Sequence, residues 1–153
     1  MKVLLLVASM GLCFPVMAQT DSQQVEQVAR DVLAAVSAKD STAFMNLMMP
    51  GARAYSVFEQ AVRFGNVEVE ASGLAQGGAQ PPFLERMWDP TVMVTNDLAV
   101  VWTPYDFWIG DQFSHCGTDV LTILRTAKGW RVAAIAYNIV NDCEPSPLGP
   151  PTF

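Results

Sequence analysis

The pattern of apolar and polar residues is most regular near the end of the chain, between Leu98 and Asn138. Three runs rich in β-branched and aromatic residues are separated there by two turn signals, Gly110-Asp111 and Lys128-Gly129. Such runs bounded by glycine turns are typical of antiparallel strands joined by hairpins. We therefore predict an antiparallel meander whose apolar face must be covered by other elements.

The amino-terminal half has a helical period instead. Apolar residues recur at three- and four-residue spacing over residues 25–36, after the candidate caps Asp21 and Ser22, which predicts an amphipathic helix. A second, short helix is predicted over Thr42–Met49, between a break at Lys39-Asp40-Ser41 and the stop at Pro50-Gly51. Helices followed by a meander predict a single domain of the α+β class.

The segment between helices and meander is less regular. We predict a strand over Tyr55–Phe58, a turn or short helix over 59–63, and a half-exposed strand over Val67–Glu70, where apolar and acidic residues alternate. Residues 72–82 contain three glycines and two prolines, which favours a loop, either an ordinary connection or a flap over a pocket.

The chain begins with one lysine, a short uncharged apolar stretch and a small residue, Ala18. This pattern predicts a secretory signal peptide, residues 1–18, cleaved after Ala18, and hence a periplasmic or secreted protein. The stretch is shorter than the roughly 20 residues of a membrane-spanning helix. The predicted organisation is then one domain over residues 19–143 and an extended, proline-rich tail over 144–153.

Charge and composition narrow the range of partners. The formal charge of −6 becomes −7 without Lys2, and no cluster of Lys and Arg is present to bind phosphate backbones or anionic membranes. A single histidine and the lack of clustered Cys/His spacing or an acidic calcium loop argue against a metal site. No phosphate-binding loop or other cofactor motif is present, so neutral or cationic small molecules are the open ligand classes.

Two cysteines, Cys116 and Cys143, lie beyond the predicted cleavage site, and an oxidising compartment favours a disulfide between them. If Lys128-Gly129 is a two-residue loop, Cys116 lies opposite Asn141 and both cysteines point to the same face. A three-residue loop with a glycine bulge moves the partner by one. The alternative is two unpaired, partly buried thiols.

Candidate chemistry lies on the central strand of the meander. His115, Gly117 and Asp119 share one face by period-two alternation, followed by apolar Leu121 and Ile123. An imidazole and a carboxylate projecting into an apolar cavity would form a ligand-orienting or acid–base pair. The alternative is a histidine bonded to the backbone that only satisfies a core position.

The first strand of the meander has bulky groups on both faces, Trp102 and Asp106 on one and Tyr105 on the other. One face can pack on the helices and the other needs a cover, for which a homodimer is the simplest source and the 72–82 loop is the alternative. Adjacent Tyr105 and Asp106 point in opposite directions, which disfavours a joint role. Asn138 is a further hydrogen-bonding candidate whose facing depends on the turn.

Three segments carry a resemblance to a known superfamily: Val101-Trp102-Thr103-Pro104-Tyr105-Asp106-Phe107, Ser114-His115-Cys116-Gly117 with Asp119, and Gly129-Trp130. Together with the two helices they resemble the nuclear transport factor 2-like (NTF2-like) superfamily, and most closely its secreted SnoaL-like or lumazine-binding bacterial proteins. The resemblance implies a cone of amino-terminal helices against a strongly curved, mainly antiparallel sheet of about six strands, with a pocket at the wide end. Enzymes, binding modules and assembly domains share that scaffold.

These observations lead to a working prediction with two alternatives. We expect a dimeric protein that binds a small, partly aromatic or apolar molecule without a cofactor, and the alternatives are a cofactor-independent isomerase, cyclase or dehydratase, or an interaction module. The predicted lining residues are Trp102, Tyr105, His115, Asp119 and Asn138. In the enzyme alternative, Asp119 or Asp106 would be the base and His115 the donor.

Overall fold

A computed structural model describes residues 18–76, 78, 81–144 and 146–152, so that residues 1–17 of the predicted signal peptide lie outside the described part. No helix within the described ranges has the length and apolar character needed to cross a membrane. The helices are α1 (Asp21–Ser37), α2 (Ser41–Leu47) and α3 (Val67–Gln76). The strands are β1 (Met48–Phe58), β2 (Ala61–Asn66), β3 (Phe83–Met87), β4 (Thr91–Thr95), β5 (Leu98–Ile109), β6 (Gln112–Thr126) and β7 (Gly129–Ile139).

Both predicted amino-terminal helices are present. The cap of α1 is Thr20, not Asp21 or Ser22, because Thr20 and Gln23 form a reciprocal capping box. Asp40 caps α2 by accepting a hydrogen bond from the Ala43 amide. The apolar stripe of α1 is buried, as its spacing predicted, and packs on the inner face of the sheet.

The strands form one mixed sheet in the order β2-β1-β7-β6-β5-β3, and β4 also pairs with β5. All pairs are antiparallel except β1 with β7, which are parallel. The predicted meander corresponds to β5, β6 and β7. Within the described residues, three helices against a seven-stranded sheet that is not closed confirm the predicted α+β architecture.

The middle of the chain differs from the prediction. The alternating segment Val67–Glu70 is the first turn of α3 and not a strand. Val67 and Ala71, four residues apart, are both buried, whereas Val69 is exposed, so tertiary packing satisfies the helical spacing rather than the alternation. The predicted 72–82 loop is helical through Gln76.

The ambiguous 59–63 segment forms a hairpin. Glu59 and Gln60 both have positive φ, at 47° and 67°, and they connect β1 to β2 as a two-residue loop. Positive φ at both loop residues gives a twist that matches the flanking strands. Residues 61–63 therefore belong to a strand that pairs with β1.

The β6–β7 hairpin does not have the predicted Lys128-Gly129 loop, and the partner of Cys116 is moved by one residue from Asn141, as in the predicted alternative. The loop is Ala127-Lys128, with Thr126 opposite Gly129, and a bulge between Thr122 and Ile123 shifts the register again. Cys116 consequently pairs with Val140, and the argument that both cysteines point to one face is wrong. The predicted disulfide between Cys116 and Cys143 is nevertheless present, with its Cα atoms 6.4 Å apart, because the chain turns back after the strand.

The segment after Cys143 returns to the sheet instead of leaving it fully extended. Ser146 is buried, and its carbonyl accepts a hydrogen bond from the Gly149 amide, which closes a turn. The Arg86 guanidinium on β3 donates to Ser146 Oγ at 3.3 Å and to the Gly149 carbonyl at 2.8 Å. The tail thus covers part of the outer sheet face.

Candidate functional site

A cavity of about 230 Å³ lies between the helices and the concave inner face of the sheet. The sheet curves away from α1, and most of the side chains around the gap are apolar. The lining residues are Val32, Leu33, Val36, Phe44, Ala54, Glu70, Leu74, Glu85, Tyr105, Phe107, His115, Asp119, Leu121, Ile135, Tyr137 and Ile139.

Asp119 is the most buried acid of the cavity, with 4% of its surface exposed. It lies on β6 with Thr103 and Tyr137 opposite it on the two neighbouring strands. Its Oδ2 is buried and has no hydrogen-bond partner among the described residues. Burial disfavours the ionised form and raises the pKa of this carboxyl to about 7. Asp119 therefore changes charge near neutral pH.

Glu85 is a second acid of the same cavity, contributed by β3 and positioned opposite Phe107. Burial, and then the charge of Asp119, raise the pKa of Glu85 well above its ordinary value. Two like charges in an apolar space disfavour each other, so the protonated form of Glu85 is favoured. A protonated carboxyl can donate a hydrogen bond as well as accept one.

His115 lies in an aromatic environment beside these acids. Its ring stacks on Phe107 at 5.1 Å between centroids and meets Tyr105 edge to face at 5.8 Å. Its Nδ1 is 3.0 Å from Ser114 Oγ. Burial lowers the pKa of His115, so the imidazole is neutral at pH 7 and does not balance the acids.

Two tyrosines complete the polar groups of the cavity. Tyr105 donates from its hydroxyl to the Asn138 carbonyl at 2.9 Å, and burial raises the pKa of this phenol. The Tyr137 hydroxyl donates a hydrogen bond to Glu70 Oε2 at 3.5 Å. Burial, and then the charge of Glu70, raise the pKa of Tyr137 to about 12. Both phenols therefore remain protonated and uncharged across the physiological range.

Gly117 makes room for Tyr105. A Cβ atom at this position would overlap the Asn138 carbonyl oxygen and lie 2.6 Å from Tyr105 Cε1. The gap between His115 and Asp119 is thus occupied by an aromatic ring and backbone, and is not the open space that the alternation suggested. The tyrosine edge forms part of the cavity wall.

Three of the predicted lining residues reach the cavity, namely Tyr105, His115 and Asp119. Trp102 does not, because it lies on the outer face with 47% of its surface exposed. Asn138 does not either, because its Oδ1 accepts a hydrogen bond from the Thr118 amide at 2.7 Å on the outer side. Both positions have the opposite strand parity from the cavity residues.

Asp106, the other candidate base, is also on the outer face. Its carboxylate is fully buried and binds Arg86 through two hydrogen bonds, Nε to Oδ1 at 2.9 Å and Nη2 to Oδ2 at 2.5 Å. Burial alone would raise the pKa of Asp106, but hydrogen bonds from Arg86 and Ser146 and the Arg86 charge lower it below its ordinary value. Asp106 is therefore a structural ion-pair partner and not a base for the cavity.

Three polar groups of the cavity were not predicted from the sequence: Glu70, Glu85 and Tyr137. The position of Glu85 could have been predicted, because Glu85 alternates with the apolar residues Phe83 and Met87 and so shares their inward strand face. The position of Glu70 could not have been predicted, because the sequence pattern favoured a strand over Val67–Glu70 and the structure has a helix there. No group of three potential metal ligands occurs among the described residues.

Comparisons with known proteins agree with this architecture. No family model and no curated protein matches the chain. Similar solved structures include an NTF2-like protein of unknown function from Pseudomonas putida KT2440, with a TM-score of 0.66, 16% identity, and coverage of 81% of this chain and 96% of the other. An NTF2-like protein of unknown function from Silicibacter pomeroyi DSS-3 has a TM-score of 0.62 and 18% identity, covering 76% of this chain and 93% of the other.

A further similar structure is the CaMKII hub of S. rosetta, with a TM-score of 0.68, 15% identity, and coverage of 81% of this chain and 100% of the other. At these identities the similarity concerns the fold. The chain has the NTF2-like fold, an α+β cone with its cavity between the helices and the curved sheet.

Proposed function

We propose that this protein binds a small, partly aromatic or apolar molecule in the cavity. The observation that carries the proposal is the buried Asp119 Oδ2, which has no partner among the described residues and belongs to a side chain that lines a mostly apolar cavity. An unsatisfied buried acceptor costs about 1–3 kcal/mol, and a ligand donor would remove that cost.

The size of the cavity limits the ligand. A volume of about 230 Å³ lies below the roughly 300–1,000 Å³ of most drug-sized sites. It equals the liquid volume of about eight waters, at ~30 Å³ each. A single aromatic ring with a short substituent fits this space, and the Phe107 and His115 rings offer flat apolar surface to it.

Methyl NMR titration with 2-phenylethanol tests binding. We expect shifts at Leu121, Ile135 and Ile139, and their loss in Val36→Phe, which fills the cavity from α1. The matched control is Val69→Phe, an exposed position on α3 that should leave the titration unchanged. Shifts that persist in Val36→Phe, or that are absent up to millimolar concentrations of both 2-phenylethanol and 2-phenylethylammonium, would contradict the proposal.

A second candidate function is proton transfer, and the observation that favours it is a carboxyl with a pKa of about 7 in a cavity that also holds Glu85. Ionised Asp119 can take the α-proton of a ketone, the C–H electron pair then forms the enolate, and the Glu85 hydroxyl donates to its oxygen. His115 is neutral and can serve as a further donor.

Deuterium exchange into phenylacetone in D₂O, followed by NMR, tests this activity. Exchange above the buffer rate that disappears in Asp119→Asn supports it, with Asp142→Asn, an exposed aspartate, as the matched control. Exchange at the buffer rate with the probe demonstrably bound would restrict the cavity to binding.

We also propose that the outer sheet face mediates a homodimer. Exposed apolar residues run across this face, from Val62 and Phe64 on β2 to Trp102 on β5 and Met93 on β4. The alternative cover, the 72–82 segment, contacts α2, β1 and β2 through α3, and its Pro82 carbonyl accepts a hydrogen bond from the Gly110 amide directly after β5. Since these residues are apolar, a second copy can meet them with the same surface.

Sedimentation velocity tests the dimer. Trp102→Glu should yield monomers at concentrations where the parent protein is dimeric, because it places a charge among these exposed apolar residues. Val69→Glu, which is exposed on α3 and off the sheet face, should leave the sedimentation coefficient unchanged. A monomeric parent protein would contradict the proposal.

We propose further that the protein is exported to the periplasm or beyond. The support is the charged and apolar start of the chain, which ends in a small residue at Ala18, and the disulfide between Cys116 and Cys143, which an oxidising compartment maintains. Cell fractionation should place the mature chain, beginning at Gln19, outside the cytoplasm. Removal of residues 2–18 should retain it inside.

A further inference from the structure

The ionisable side chains that line the cavity all have the same sign. Glu70 from α3, Glu85 from β3 and Asp119 from β6 are acids, and no lysine or arginine is among the described residues that line the cavity. His115 is neutral because burial lowers its pKa. Tyr105 and Tyr137 remain uncharged phenols. The cavity therefore has the potential to become negative and has no internal cation.

The basic residues that come nearest in the fold are engaged elsewhere. Arg86 is on β3 beside Glu85, but points to the outer face, where it pairs with Asp106. Lys39 donates to the carbonyls of Gly78 and Pro81 and lies 3.8 Å above the Phe83 ring. These contacts of Arg86 and Lys39 are all with groups that do not line the cavity.

One carboxyl of the acidic cluster is almost completely buried in the wall of the cavity. Asp119 is more than nine-tenths buried, and its Oδ2 has no partner in the described part of the chain. Hydrogen bonds that involve a charged donor are about twice as strong as neutral ones. A ligand ammonium would satisfy Oδ2 and supply the missing positive charge.

The aromatic walls favour the same ligand. Phe107, Tyr105 and Tyr137 line the cavity with His115. Aromatic side chains pack well against the apolar body of a ligand. An anionic ligand would meet three acids, and a neutral ligand would gain no charge interaction.

We propose that the cavity selects a small organic cation, an ammonium group on a compact aromatic or apolar body, over neutral and anionic molecules of the same shape. This rests on the proposed binding function of the cavity. The ammonium contacts Asp119, and the apolar body lies against Phe107 and the aliphatic walls.

Binding of a cation should release a proton. The groups that face Asp119 are Tyr105, Tyr137, Glu85, Glu70 and His115, and none of them is positively charged at pH 7. α1 and β1 add only apolar side chains to the lining. An ammonium favours the carboxylate, which lowers the pKa of Asp119 from about 7, so that affinity rises with pH through neutrality.

Calorimetry with three probes of similar shape tests the proposal: 2-phenylethylammonium, 2-phenylethanol and 3-phenylpropanoate. We expect the cation to bind about tenfold or more tightly than the alcohol, and the anion to bind most weakly. Titrations of the cation in two buffers of different ionisation enthalpy should show proton release near pH 7. Asp119→Asn should bind cation and alcohol equally, while Asp142→Asn keeps the preference.

The outcomes separate the two proposals. Alcohol binding equal to or tighter than the cation would overturn the selectivity and leave the binding function standing. Failure of all three probes would overturn both. If Asp119→Asn does not fold, the order of the three affinities and the proton release of the parent protein still test the cation selectivity.

Discussion

Asp119 shows how position determines the chemistry of a residue. The same carboxyl on the surface would carry a full charge at pH 7, but in the cavity its pKa is about 7. The cause is lost hydration, since apolar neighbours replace water around Asp119. Asp106, thirteen residues earlier and also buried, has a lowered pKa because Arg86 binds both of its oxygens.

The first prediction concerns Asp119 and stability. Because its folded pKa is above the ordinary value near 3.9, the folded protein holds a proton between about pH 4 and 7 that the unfolded chain has lost. Stability therefore falls as pH rises through this range, by up to the order of 4 kcal/mol. Asp119→Asn removes this loss. The free energy of unfolding of the variant, measured in urea, should therefore rise relative to that of the parent protein between pH 4 and pH 8.

The control is Asp142→Asn, where the exposed side chain should produce no comparable change between the two pH values. A pH dependence identical in Asp119→Asn and the parent protein would show that Asp119 is not desolvated in solution.

The second prediction concerns the Arg86–Asp106 pair. Arg86→Met leaves the Asp106 carboxylate buried without a cation and should cost about 3–5 kcal/mol in urea unfolding. The double variant Arg86→Met/Asp106→Leu should recover most of this. Because the folded pKa of Asp106 is lowered, the pair stabilises fully above about pH 4 and less as pH falls below it. A loss that does not shrink at low pH would contradict this account.

At the scale of elements, most of the differences from the predictions lie in α3 and in the β1–β2 and β6–β7 hairpins. The Val67–Glu70 alternation is compatible with a strand, and only packing on α2 and β1 decides for a helix. The meander was predictable because its alternation continues over three long strands. Its register was not, because the bulge at Thr122/Ile123 has no sequence signal of its own.

The third prediction tests the close packing of β5 against β6 and β7. Gly117→Ala would force Tyr105 and the Asn138 carbonyl apart and should cost about 3 kcal/mol or prevent folding. Gly65→Ala on β2 is the matched control, since a Cβ there has nothing within 4 Å and should change stability by less than about 1 kcal/mol. Equal midpoints in urea for the two variants would contradict the packing described for Tyr105.

For the whole molecule, the carboxyl-terminal segment connects separate parts of the sheet. The Cys116–Cys143 disulfide links β6 to the segment that follows β7. The residues beyond Cys143 then contact Arg86 on β3. The bridge closes 27 residues of sequence, which restricts the unfolded chain.

The fourth prediction follows from that restriction. Replacing both cysteines by alanine should lower the free energy of unfolding by about 2–4 kcal/mol, measured by urea unfolding at equilibrium. Dithiothreitol should reproduce the loss in the parent protein and have no further effect on the double variant. Equal stability with and without the bridge would mean that the segment is held by its contacts to Arg86 alone.

The sequence by itself determined the class of the fold, the first two helices, the three-stranded meander, and the strand face that His115 and Asp119 share. These follow from local periodicity, which requires only neighbouring residues along the chain. Tertiary structure alone decided that Glu70 and Glu85 join Asp119 in one cavity and that Trp102 and Asn138 face away from it. Register, bulges and the helix over Val67–Gln76 depend on contacts between distant segments, and so do the pKa values of the acids that those contacts bury.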